Sequence, residues 1–211
     1  MPNWSFNHLS ISGNPEEVAQ VKFQVSQQFS KDYLDFSEDF HNPTIKTVQY
    51  DNPVFAFWNI IRPTDLEAYI KQPDNTLPIE EQLRFKGNDW YSWNVKNWGT
   101  KWDVAVRNDD EYPETEELDD YGFGGLSYRF NTAWAPPEEA IAELSRQYPN
   151  LTFDMEYEEE TGWGGEFVYK AGEIVSRMEY DSKCPDCDEY NCIDWDDETS
   201  EQFCSKCDYR S

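Results

Sequence analysis

Basic residues are scarce in this 211-residue chain: 17 Lys and Arg stand against 43 Asp and Glu, for a net charge of −26. Such a field repels a phosphate backbone, so direct binding of DNA or RNA is not expected. Histidine is rarer still, with only His8 and His41. Neither sits in a nucleophile motif, so no Ser–His or Cys–His centre is expected. No run of 18 or more apolar residues occurs, so no transmembrane helix and no membrane role are expected. Met1-Pro2-Asn3-Trp4 has neither the basic nor the apolar region of a secretory signal. Five cysteines without an export signal point to reduced thiols or metal ligands, not disulfides, and to a cytoplasmic setting.

Rings and acids are what the chain has in plenty. Aromatics make up 17% of the residues, so the core is expected to be built from rings. Four of the nine tryptophans fall between Trp90 and Trp102, with Gly99 as the only glycine of that stretch. Trp90, Trp93, Trp98 and Trp102 fit neither a helical stripe nor strand alternation. The stretch reads as a knot of loop and short strand that packs where neighbouring elements meet. The acids are unevenly placed: residues 1–107 carry 14 against 10 bases, and residues 108–211 carry 29 against 7.

Along the chain, residues 3–11 read as a strand and Asn14-Pro15-Glu16-Glu17 as a helix start, with Glu17 reaching back to the cap. Val18, Val21, Val25 and Phe29 recur at helical spacing. Residues 30–50 are polar and mixed. Val54–Ile61 is an apolar run suited to a buried strand or short helix, and short helices are expected after Thr64-Asp65 and around Ile79–Phe85. Residues 62–100 read as an insertion. Lys101–Arg107 is expected to be a strand, and 108–120 a solvated, mobile loop. Leu126–Thr132 is a strand, and Glu138–Tyr148 a helix entered through Pro136-Pro137. Leu151–Glu158 alternates apolar and polar without a break, and a hairpin follows over 167–180. The pattern is α+β, an antiparallel sheet with helices on one face, over residues 1–180.

Residues 181–211 form a separate tail. Cys184-Pro-Asp-Cys187 and Cys204-Ser-Lys-Cys207 are two Cys-x-x-Cys pairs 16 residues apart, which suits four thiolates closing a structural Zn²⁺ site. Cys192 is left over, either a spare thiol or a replacement ligand. No catalytic constellation is assembled. Glu156 and Glu158 could serve a divalent-metal hydrolase, but Glu158-Glu159-Glu160 reads more simply as a solvated strand end.

Several motifs carry a resemblance. Pro2-Asn3-Trp4 with Leu9-Ser-Ile-Ser-Gly13, Asn97-Trp-Gly-Thr-Lys-Trp102, Asn131-Thr-Ala-Trp-Ala-Pro-Pro137 and the glycine-bearing stretch Tyr157–Glu166 resemble the YubB-like family of phage- and plasmid-borne proteins. The resemblance covers about residues 1–180 and implies a ferredoxin-like domain and a mobile-element origin. It brings no catalytic residue. The tail resembles a zinc ribbon.

Taken together, the expectation is a non-enzymatic phage accessory protein. Its acidic half would cover a basic, nucleic-acid-binding surface on a host defence or replication protein. The acids placed at that contact are Asp109, Asp110, Glu111, Glu114, Glu116, Glu117, Asp119 and Asp120. A zinc-containing nucleic-acid module with stacking rings is the alternative. The charge also fits a plain solubility feature or tolerance of high salt.

Overall fold

The computed structural model describes residues 3–39, 43–71, 76–105, 115–118 and 125–210. Strand β1, Trp4–Ser12, buries Ser5, Asn7, Leu9 and Ile11 on one side and turns Trp4, Phe6, His8 and Ser10 to the other. Helix α1, Pro15–Val25, starts where Asn14 Oδ1 accepts the Glu16 and Glu17 N–H groups at 2.8 and 3.3 Å. Glu17 does not reach back as a capping box would. Its carboxylate instead accepts the Asn150 Nδ2 at 3.1 Å, tying the helix start to a distant turn.

A long excursion separates α1 from the next strand of the main sheet. It opens with a hairpin of its own, β2 (Phe29–Asp35) and β3 (Thr44–Tyr50). Then come a single 3-10 turn at Phe57–Asn59 and three short helices, α2 (Leu66–Ile70), α3 (Ile79–Phe85) and α4 (Trp90–Trp98). Asp65 caps α2 by accepting the Ala68 N–H, as its position before Leu66 predicts.

The tryptophan stretch is not the expected knot of loop and strand. Trp90–Trp98 is a helix capped at its start by Asp89, whose side chain accepts the Ser92 N–H, and ended by Gly99 at φ 82. That left-handed residue is where glycine releases the chain most cheaply. The inner stripe of α4 includes Asn94, which hid the helical period. Asn94 is buried because it accepts from the Tyr69 hydroxyl and donates to the Lys101 carbonyl. Trp98 is fully buried, and its indole N–H donates to the Ile61 carbonyl at 3.0 Å. Trp58 and Trp93 pack on it at ring-centroid distances of 6.4 and 5.5 Å, and Tyr69 packs on both of those rings at 5.7 and 5.8 Å.

Lys101–Ala105 is irregular and not a strand. The Asp103 carboxylate takes the N–H groups of Val104 and Ala105, and also those of Phe57 and Trp58 at the 3-10 turn. Backbone donors that a ladder would need are thus committed to one side chain.

Strand β4, Thr115–Leu118, lies inside the stretch expected to be a loop. It is followed by β5 (Leu126–Ala133), α5 (Glu138–Gln147), β6 (Thr152–Glu159), β7 (Gly164–Lys170) and β8 (Glu173–Tyr180). The sheet runs β4-β5-β1-β6-β7-β8 with every neighbour antiparallel. The first four strands, with α1 and α5 on one face, make a ferredoxin-like α+β sandwich. Each half is a split β-α-β unit, β1-α1-β4 and β5-α5-β6.

The core lies between the helices and one sheet face. Val18, Val21 and Val25 of α1 and Ile141 and Leu144 of α5 meet Leu9, Ile11, Tyr128, Phe130, Phe153, Met155, Phe167 and Tyr169. Beyond β8 the chain forms a small hairpin, β9 (Ile193–Asp196) and β10 (Glu201–Cys204). No helix among the described residues is long and apolar enough to cross a membrane.

Candidate metal centre and the helix-free sheet face

The tail folds around its thiols. Cys184–Cys187 makes one tight turn, in which the Asp188 N–H donates to the Cys184 carbonyl and Asp188 takes φ 57. The second turn follows β10, where the Lys206 N–H donates to Cys204 Sγ at 3.3 Å and the Ser205 N–H to the Cys192 carbonyl at 2.7 Å. The sulfurs of Cys184, Cys187, Cys192 and Cys204 all lie within 4.8 Å of one another. Cys207 Sγ is 3.6 Å from Cys184 Sγ, and Cys187 Sγ is 3.8 Å from Cys204 Sγ.

Four thiolates about 2.3 Å from a tetrahedral zinc would stand about 3.8 Å apart, so the donor set fits a metal ion of that kind. Burial opposes ionisation of Cys204, yet the Lys206 N–H and the neighbouring thiols more than offset it and bring the thiol down to about 6. Cys192, read from the sequence as either a spare thiol or a replacement ligand, belongs to the mutually close set, and Cys207 does not. Cys192 is buried, its Sγ is 3.4 Å from Cys204 Sγ, and it donates to the Glu189 carbonyl. Five thiols therefore converge where four suffice. The count of cysteines gave the only signal of this in the sequence.

The module abuts the sheet through stacked rings: Tyr190 lies on Tyr180 at 4.4 Å and 26°. It thereby walls one side of the sheet face that carries no helix. One cross-strand row on that face reads Glu116, Arg129, His8, Glu156, Glu166, Met178. Asp154 and Glu158 flank Glu156 on the same side of β6. A depression of about 360 Å³ is lined there by Phe6, Arg129, Glu156, Glu158, Lys183 and Tyr190, among others. Burial pushes the Asp154 carboxyl above its usual range, with Glu166 and Glu156 adding to the shift. Asp154 Oδ1 is buried with no hydrogen-bond partner among the described residues. His8 belongs to this face: its Nδ1 is 3.8 Å from Glu156 Oε2.

Of the acids expected at a partner contact, Glu116 stands on the helix-free face, opposite Arg129. Glu117 points the other way and pairs with Lys22 of α1. Asp109, Asp110, Glu111, Glu114, Asp119 and Asp120 lie outside the described residues, as does His41.

Not all the indoles join the core. Trp134 is 43% exposed and Trp102 38%. Trp102 packs on Trp4, and the Lys101 ammonium sits between Trp102 and Trp134, 4.5 and 4.8 Å from their centroids. Trp134 holds φ 71, a strained backbone for a bulky residue.

Residues 101–202 match the family model described as a ferredoxin-like domain in Api92-like protein. Among solved structures, the crystal structure of protein Api92 from Yersinia pseudotuberculosis aligns with a TM-score of 0.46 and 13% identity. That alignment covers 87% of this chain and 100% of the other. No curated protein matches the chain. Over residues 101–202 the chain is thus similar to the ferredoxin-like domain of Api92-like proteins.

Proposed function

We propose that this is a non-enzymatic docking protein whose acidic, helix-free sheet face takes up a basic surface of another protein. The observation that carries the reading is the row of carboxylates on that face. Asp154, Glu156, Glu158 and Glu166 stand on adjacent strands beside the exposed ring of Phe6. An arginine or lysine side chain fits such a surface: its stem lies on rings while its head reaches carboxylates. Glu116 stands at the far end of the same cross-strand row, beyond His8 and Arg129.

In this reading the tail is a Zn²⁺ module, Cys184, Cys187, Cys204 and Cys207 being its ligands, and it shapes the rim with Lys183 and Tyr190. The setting is cytoplasmic and the origin a phage or plasmid. There the partner is a host defence or replication protein whose nucleic-acid groove is covered by a surface of matching charge. Steering by a net charge of −26 would speed the encounter and make it salt-sensitive.

The test separates a shaped surface from bulk charge. One variant carries Glu156→Gln, Glu158→Gln and Glu166→Gln; its control carries Asp186→Asn, Asp194→Asn and Glu198→Gln in the tail, with the same net charge. Capture of partners from host lysate should fall at least tenfold for the first and stay unchanged for the second. Equal losses would reduce the effect to net charge and end the proposal.

One observation favours nucleic acid instead, the Lys101 ammonium held between the exposed rings of Trp102 and Trp134. A gel shift with single-stranded DNA that Trp134→Ala abolishes would move the function there.

A further inference from the structure

Away from the docking face, the side chain of Lys31 enters a cage of rings. Lys31 lies on β2, and its Nζ is 5.2 Å from the ring centroid of Trp58, 5.0 Å from Tyr69 and 5.5 Å from Trp98. These rings come from the 3-10 turn, α2 and α4, so the excursion folds around this one amine. Among the described residues no oxygen accepts a hydrogen bond from Nζ. The nearby Asp103 carboxylate spends its lone pairs on backbone N–H groups. Burial drives the Lys31 ammonium below the usual lysine range, with Asp103 opposing the shift.

Lys31 as a residue is only half-buried. Lys31 lines a groove of about 360 Å³ with mainly apolar neighbours, Tyr33, Leu34, Phe36, Ile70 and Trp90, and with Asp32 among them. Methionine could fill the same ring cage without the cost of desolvating a charge. What lysine adds there is a nucleophile at the base of a hydrophobic groove.

We propose that Lys31 is a reactive amine that forms an imine with a small neutral carbonyl compound bearing an apolar chain or ring. An anionic ligand is disfavoured, because Asp32 lines the groove and Asp103 stands behind the amine. A neutral aldehyde meets no such repulsion, and its hydrocarbon part matches the walls. The step balances without a further reactant. Lys31 gives up a proton, its lone pair attacks the carbonyl carbon, and the C=O π pair moves to oxygen, which takes a proton. The adduct nitrogen passes a second proton to that hydroxyl, which leaves as water with the C–O bonding pair while the nitrogen lone pair forms the C=N bond. The product is a protonated imine, a cation in the place of the ammonium, so the three rings and Asp103 stabilise it as they did the starting charge.

The experiment treats the full-length, metal-loaded protein with hexanal and sodium cyanoborohydride and maps the reduced adducts by peptide mass spectrometry. Lys31 should be alkylated at least tenfold faster than the exposed Lys22, and Lys31→Arg should lose that adduct alone. Labelling of Lys31 no faster than Lys22 would overturn the proposal. Leu34→Ser, which opens the groove wall and leaves the cage rings in place, separates binding from bare reactivity. It should slow hexanal at Lys31 at least threefold and leave formaldehyde unchanged. An unchanged hexanal rate, or an equal loss for both aldehydes, would refute the groove as the recognition element.

Discussion

The domain up to Tyr180 and the tail after it reach order by opposite means. The domain interlocks rings: Phe55, Phe57, Trp98, Tyr128, Phe130 and Phe153 are all essentially inaccessible. The tail has no such interior. Its buried cluster is Cys184, Cys192 and Cys204, with Ile193 and Tyr209 partly packed on it, while Trp195 is 57% exposed. A piece that small cannot bury enough apolar area to offset its chain entropy. The contrast shows where specificity can sit: the domain sets shape by packing rings, and the tail by gathering its thiols.

Removing the metal attacks that contrast hardest. In small metal-folded modules the ion contributes on the order of 10 kcal/mol. A strong chelator should therefore release hydrogen-exchange protection across β9 and β10 while β1, β5 and β6 keep theirs. Protection that survives in β9–β10 would show that the tail folds without ligation, and the two regions would not differ in kind. The mirror test is Trp98→Ala. Losing a fully buried indole and its bond to the Ile61 carbonyl should cost the domain about 3–5 kcal/mol. Thermal unfolding of the domain should fall by many degrees while the metal content of the purified protein stays the same.

A smaller change probes the same helix from its end. Gly99 sits at φ 82, and a Cβ there would press on the Glu138 N–H at 3.0 Å and the Pro136 carbonyl at 3.1 Å. Gly99→Ala should cost about 1–3 kcal/mol through backbone strain and this close approach of α4 to the start of α5. A melt unchanged from the parent would mean that the two helices part without penalty.

How far the sequence reveals these features depends on how local their cause is. Helix α5 and strand β6 are legible because Ile141 and Leu144, and then Phe153, Met155 and Tyr157, follow the periods of a buried helix face and a half-buried strand. Helix α4 is misread because one of its inner positions is Asn94, apolar in role and polar in name; Tyr69 and the Lys101 carbonyl make it so. Hairpin β2–β3 is missed because its residues are mostly exposed and no alternation survives. The spacing of the cysteine pairs announces that their thiols converge, yet nothing local shows that Cys192 folds in beside Cys204. Glu116 and Glu117 look equivalent until β4 sends them to opposite faces. The cage around Lys31 is illegible for the same reason: positions 58, 69 and 98 meet only in the fold.

The smallest effect that still sharpens the contrast is at the cap of α1. Asn14 Oδ1 serves two N–H groups that have no partner within the helix. Asn14→Ala should cost about 1 kcal/mol, and Asn14→Ser should restore most of it, since serine caps nearly as well. Asn14→Asp brings two effects of opposite sign. The carboxylate caps well and suits the positive end of the helix dipole, but Glu16 and Glu17 already crowd the first turn with negative charge. At low salt the repulsion should hold Asp below Asn in stability, and at about 1 M salt, where the Debye length is about 3 Å, the two should converge. Metal removal should leave this order untouched. If chelation changes the ranking, the tail and the domain are coupled through more than the Tyr180–Tyr190 stack, and the two regions cannot be treated as separate folding problems.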